Sequence, residues 1–244
     1  MIVKVYKAVF IVLCLSMSSC TSKRDTVSNN IVSEIYLAVQ KKLEVGNYLD
    51  AIKDLKTLNH HCLVGPYAQY IQLDLIYAYY KSSNLSLAKS LTDYFLQLYP
   101  ADPSIDYVLY MRGLINMALS ENALQDFFGI DRFDRNPALL QEAFSDFKKL
   151  IQTFPNSQYS MDASKRLIYL KNQLAKHFLS VIKYYSRRNE YTTVVIRTKE
   201  MLKDFPDTQA TRIALTHMER AYRKMHLSKQ ADIISKIITL NEVK

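Results

Sequence analysis

The 244-residue chain has no tryptophan and only 4 glycines, 6 prolines and 3 cysteines. So few glycines and prolines leave little turn chemistry for the many short strands of a sandwich or barrel. No alternating polar/apolar run supplies a strand either. The fold class is all-α. The cysteines exclude an intramolecular disulfide framework: Cys14 lies in an N-terminal apolar run, Cys20 directly follows it, and Cys62 is left alone. No G-x-S-x-G, H-E-x-x-H or P-loop pattern occurs. The chain therefore reads as a non-enzyme without cofactor or metal. Beyond the N-terminus, no apolar stretch is long enough to span a bilayer.

What is there repeats. Ala88-Thr92-Phe95-Leu96-Tyr99, Ala143-Phe147-Leu150-Ile151-Phe154 and Val194-Thr198-Met201-Leu202-Phe205 share the offsets 0, 4, 7, 8 and 11, and each is followed by proline. That spacing is one face of a helix, and a proline one position later cannot continue it. The small first residue admits a neighbouring helix, and the larger ones fill the groove between them. This is the second helix of a tetratricopeptide-type pair, whose face no repeat can bury alone. Ala51, Leu55 and Leu58 carry the same face. The spacing predicts an α-solenoid of about five helix pairs with stretched repeats, the markers Ala51, Ala88, Ala143 and Val194 being 37, 55 and 51 residues apart.

The N-terminus has Lys4 and Lys7, an apolar run from Ala8 to Leu15, and Met17-Ser18-Ser19 before Cys20. Basic residues ahead of a short apolar segment make a secretory signal. The cysteine at its end resembles a bacterial lipobox, in which that cysteine becomes the acylated first residue. The expectation is a signal peptide over 1–19 and a lipidated, flexible tether over 20–31. Several acyl chains, each contributing about 0.8 kcal/mol per buried CH₂, give stable attachment. Thr21 stands where an aspartate tends to retain lipoproteins at the inner membrane, so the expected location is the periplasmic face of the outer membrane. The formal charge of +9 suits nucleic acid, an anionic surface or an acidic protein. Export excludes nucleic acid.

Along the mature chain, helix pairs are expected to start near Ser33, Tyr67, Ile105, Pro155 and Thr208. The Ile105 helix is expected to end near Leu119, and the stretch 120–136, with Phe127-Phe128-Gly129-Ile130-Asp131-Arg132-Phe133-Asp134-Arg135, is expected to be a connection. Asn136-Pro137 should then cap and restart a helix. His60, His61 and Cys62 offer three metal ligands in a row, but adjacent side chains diverge and no second ligand pair exists. Asp131 and Asp134 each stand beside an arginine, a pattern commoner in charge-laced loops than in acid–base catalysis. Of 18 tyrosines, five fall at Tyr67, Tyr70, Tyr77, Tyr79 and Tyr80 and cannot all face one way on a helix. Some are core; the others make an aromatic surface with hydroxyl handles, suited to extended apolar peptides.

Longer motifs carry a family resemblance: GPYAQYIQLDLIYAYYK from Gly65, DYVLYMRGLINMAL from Asp106, FFGIDRFDRNP from Phe127, AFSDFKKLIQTFPNSQY from Ala143 and DFPDTQATRIAL from Asp204. The chain resembles the BamD family (ComL, YfiO), lipoproteins of the outer-membrane β-barrel assembly machinery, over its whole length. It departs from the family's loop at Cys62 and Leu63. The resemblance implies a scaffold that binds unfolded outer-membrane protein precursors through residues 32–135; the aromatic surface read from the tyrosines puts Tyr67 and Tyr70 among the expected contacts. It implies that residues 136–244 dock on the POTRA domains of BamA, with other Bam lipoproteins as companions. Arg197 matches the arginine that pairs with an acidic BamA residue, and Arg188 stands near it. A second reading, also compatible with a helical-repeat lipoprotein, is an adaptor for a peptidoglycan or cell-division enzyme.

Overall fold

The computed structural model describes residues 22–61, 67–125 and 137–241. They form ten helices: α1 (Ser22–Glu44), α2 (Tyr48–His61), α3 (Ala68–Lys81), α4 (Leu85–Leu98), α5 (Ile105–Gln125), α6 (Ala138–Thr153), α7 (Ser160–Arg187), α8 (Tyr191–Asp204), α9 (Gln209–Lys224) and α10 (Ser228–Leu240). They follow one another as five helix pairs of the tetratricopeptide type, the connection between α5 and α6 lying outside the described residues. No helix among the described residues is long and apolar enough to cross a membrane. Cys20, Cys62, Leu63, Asp131 and Asp134 lie outside the described residues.

Three boundaries differ from the sequence expectation. α1 starts at Ser22, within the stretch expected to be a tether. Its polar first turns lack an apolar face, so periodicity did not mark them as helix. α5 continues to Gln125, through residues expected to be the start of the connection; Ala118, Leu119, Ala123 and Leu124 are good helix formers with nothing to stop them. Pro137 is the N-cap of α6 rather than its first helical residue. α7 has 28 residues, long as expected.

The backbone divides into two compact units, Met1–Ala78 and Tyr79–Lys244. In the first, Val39 and Leu43 of α1, Ala51, Ile52, Leu55 and Leu58 of α2, and Ile71 and Leu75 of α3 are buried. In the second, the repeated stripe forms the core of each pair. Offsets 0, 4 and 7 are almost completely buried in all three copies: Ala88, Thr92 and Phe95; Ala143, Phe147 and Leu150; Val194, Thr198 and Met201. Two of these positions hold threonine at no burial penalty. Thr92 Oγ1 donates to the Lys89 carbonyl at 2.7 Å, and Thr198 Oγ1 to the Val194 carbonyl at 2.8 Å.

The turns repeat as closely as the stripe. Within four of the pairs a left-handed residue stands five positions before the small one: Gly46 (φ 79°), Ser83 (62°), Asn189 (60°) and His226 (60°). The next amide reaches back five residues in each: Asn47 to Lys42, Asn84 to Tyr79, Glu190 to Tyr185, Leu227 to Tyr222, at 2.8–3.1 Å. These are Schellman closures of the first helix, and they set where the second begins. Between pairs, the residue before each proline caps its helix: Tyr99, Phe154 and Phe205 all donate N–H to the carbonyl four residues back. Six residues on, Ser160 Oγ and Thr211 Oγ1 donate to the Phe154 and Phe205 carbonyls at 2.7 and 2.6 Å. Ile105 occupies that place in the first copy and cannot.

The α5–α6 contact is the tightest. A Cβ on Gly113 would lie 2.5 Å from Cζ of Phe147, which has no exposed surface. Around this contact Arg112 makes a two-pronged pair with the buried Asp146 through Nε (3.0 Å) and Nη2 (2.5 Å), and its Nη1 reaches Asp93 at 3.0 Å. Lys89 pairs with Glu142. α4, α5 and α6 are thereby clamped by charge as well as by packing. Burial pushes the Asp146 carboxyl above its usual range, and the Arg112 pair opposes that shift.

Gly113→Ala is expected to destabilise the protein by about 1–3 kcal/mol, because overpacking outweighs a helix-propensity gain of at most ~1 kcal/mol. Adding Phe147→Leu should recover part of the loss; thermal melts of the two variants check this. His226→Gly is expected to stabilise by ~0.5–1 kcal/mol, since glycine accepts positive φ without a Cβ penalty. Urea titration with an unchanged slope is the measurement.

Candidate partner-binding surfaces

The two arginines singled out in the sequence lie on either side of the α7–α8 turn. Val194, Val195, Thr198 and Met201 bury one side of α8, which leaves Arg197 exposed beside them. Its Nη1 donates to Glu200 Oε2 at 2.9 Å, an exposed pair one turn apart. Such a pair contributes only about 0.2–0.5 kcal/mol, so the guanidinium is available for exchange with an external carboxylate. Ile196, beside Arg197, is 51% exposed, and Lys199 and Lys203 are exposed further along α8. Arg188 is the C-cap of α7. Its guanidinium carbon lies 5.5 Å from the centre of the Tyr184 ring, and Nη1 donates to the Tyr184 hydroxyl at 3.1 Å. An arginine held against an aromatic side chain in this way loses little rotamer freedom when it meets a partner.

In the first unit the tyrosines divide as the alternation of faces requires. Tyr70 is 57% exposed, the one exposed residue of the five singled out in the sequence. Tyr67 is half-buried, its ring tilted against Tyr36 at 5.4 Å. Tyr36 is itself fixed: its hydroxyl donates to Asp74 Oδ2 at 2.6 Å, which also accepts from Gln40 Nε2 at 2.5 Å. Burial pushes the Asp74 carboxyl up, while hydrogen bonds from Tyr36 and Gln40 pull it down. The Tyr36 hydroxyl is raised by burial and then by that carboxylate. The result is a rigid aromatic platform, Tyr36 and Tyr67, with Tyr70 free beside it. Tyr36, Gln40 and Asp74 escaped sequence reasoning because each looks like an ordinary surface residue until α1 and α3 meet. Asp74 within the apolar IQLDLIY run was the available signal.

His60 and His61 end α2 with both side chains exposed and ring centres 5.6 Å apart, edge to face. No cluster of three metal-ligating residues exists among the described residues. His217 is half-buried, its Nδ1 3.1 Å from Ser186 Oγ.

Residues 28–237 match the YfiO family, described as outer membrane lipoprotein. The chain is 39% identical over 237 residues to the outer membrane protein assembly factor BamD of Vibrio cholerae, covering 97% of this chain and 98% of that one. To the BamD of Haemophilus influenzae it is 40% identical over 225 residues, 92% of this chain and 86% of that one. Among solved structures, the TPR-like repeats of a Podosopora anserina kinesin light chain align over 86% of this chain and 93% of that one, at 12% identity and a TM-score of 0.38. On the span of the family match and the identity to its curated relatives, this chain belongs to the YfiO family of outer membrane lipoproteins.

Proposed function

We propose that this chain is a lipid-anchored scaffold for outer-membrane β-barrel assembly, tethered through Cys20 to the periplasmic face of the outer membrane. Membership of a family whose relatives are named assembly factors supports the role. The docking surface is the outer side of α8 and the α7–α8 turn, where Arg197 and Arg188 meet acidic groups on the POTRA domains of BamA. Tyr70, with the Tyr67–Tyr36 platform, receives unfolded precursors. A ring that is already ordered loses little entropy on contact with an extended apolar segment. Other Bam lipoproteins occupy further surface of the same scaffold.

The observation that carries the docking assignment is the exposure of Arg197 directly above a buried stripe. Its ion-pair partner among the described residues, Glu200, is itself exposed and weakly held. Arg197→Ala is expected to weaken binding to the BamA POTRA domains by about 2 kcal/mol, and Arg197→Glu by more, while helical circular dichroism and melting temperature stay unchanged. A basic residue introduced opposite it on BamA should restore part of the Arg197→Glu loss. Calorimetric titration of the three pairs checks this, and equal affinities throughout would move the docking site elsewhere.

A further inference from the structure

The positive charge of this protein is not spread along the chain. Residues 1–136 balance, and the whole formal excess of +9 lies in residues 137–244. Four of that region's basic residues are ion-paired within it: Arg166 with Asp162, Lys171 with Asp207, Arg197 with Glu200, Arg223 with Glu219 and Asp232. Among the others are five on two helices that pack together. Lys176, Lys183 and Arg187 recur at helical spacing along α7, and Arg220 and Lys224 along α9; all are exposed, and none is ion-paired to an acidic residue among the described residues. α7 and α9 pack against each other. The hydrogen-bond contact between His217 and Ser186 brings their two basic faces to one seam.

We propose that the α7–α9 seam is a docking surface for an acidic polypeptide segment, whose carboxylates engage Lys183 and Arg220 on either side of His217. The surface is separate from the Arg197 side of α8 and does not depend on the reading given to it. Charge complementarity names the partner's chemistry, and the position of His217 narrows its class. A planar anionic membrane meets the tips of protruding lysines, but not a half-buried imidazole between two helices. A chain bearing carboxylates on flexible side chains follows such a seam.

His217 also reports occupancy. Burial, Arg220 and Lys183, in that order, hold its imidazolium pKa below the usual histidine range. A carboxylate bound between those two cations would cancel their effect and raise that pKa. By linkage, the acidic segment then binds more tightly as pH falls through the histidine range.

The test uses the full chain and a fluorescein-labelled peptide of alternating glutamate and alanine, read by anisotropy, with the His217 ring proton followed by NMR. Saturable binding is expected, with a rise in the His217 pKa and a tightening as pH falls below about 6.5 that His217→Gln abolishes. The paired change Lys183→Gln/Arg220→Gln should weaken binding about tenfold at unchanged melting temperature, whereas Arg197→Ala should leave it intact. Absence of binding, insensitivity to the paired change, or equal loss in Arg197→Ala overturns the proposal. So does a reversal in which phosphatidylglycerol vesicles, and not the peptide, bind the chain through Lys183 and Arg220.

Discussion

Everything in the helical body follows from how closely two helices can approach. Ala51, Ala88, Ala143, Val194 and Ala231 have no exposed surface, and each is the point where the second helix of a pair meets its neighbour. A long or aromatic side chain there would hold the helices apart and leave the residues at offsets 4 and 7 without contacts, forfeiting dispersion and burial together. Gly113 against Phe147 is the extreme case, where even one methyl group has no room. The turns serve this contact. In four of the pairs a left-handed residue five positions earlier closes the first helix at a fixed point, so the small residue arrives opposite the right groove.

The stripe was legible in the sequence because helical packing depends on spacing, and spacing is written directly in the chain. The turn device was harder to read. Gly46 advertises positive φ; Asn189 and His226 are of types enriched there but common elsewhere, and Ser83 gives no hint in its side chain. Their signal was positional, five residues before the small marker. The Arg112–Asp146 clamp and the Tyr36–Asp74 contact were invisible for another reason: they join residues 34 and 38 apart, and only the folded backbone brings them together. Arg197 was legible as a residue beside the stripe, and its pairing with Glu200 was not.

The surface residues with functional interest stand apart from those that hold the fold. Arg112 is invested in the interior, paired with a carboxylate whose pKa burial raises and the guanidinium lowers. Arg188, Arg197, Lys183 and Arg220 lie over cores built from aliphatic and small residues and contribute almost nothing to them. A repeat fold makes this separation easy, since each helix needs only part of its circumference for its neighbours. The remaining faces of α7, α8 and α9 can therefore carry distinct charge patterns at little cost to stability. This is how one scaffold can hold several partners at once.

The central claim is that α8 faces BamA while the Tyr36–Tyr67–Tyr70 surface faces incoming precursors. Site-specific photo-crosslinking in intact cells tests it most directly, with a photoreactive residue placed at Ile196 in one strain and at Tyr70 in another. The account predicts a BamA adduct from position 196 and adducts with unfolded outer-membrane proteins from position 70, the latter accumulating when assembly is stalled. BamA crosslinked from position 70 and precursors from position 196 would contradict it.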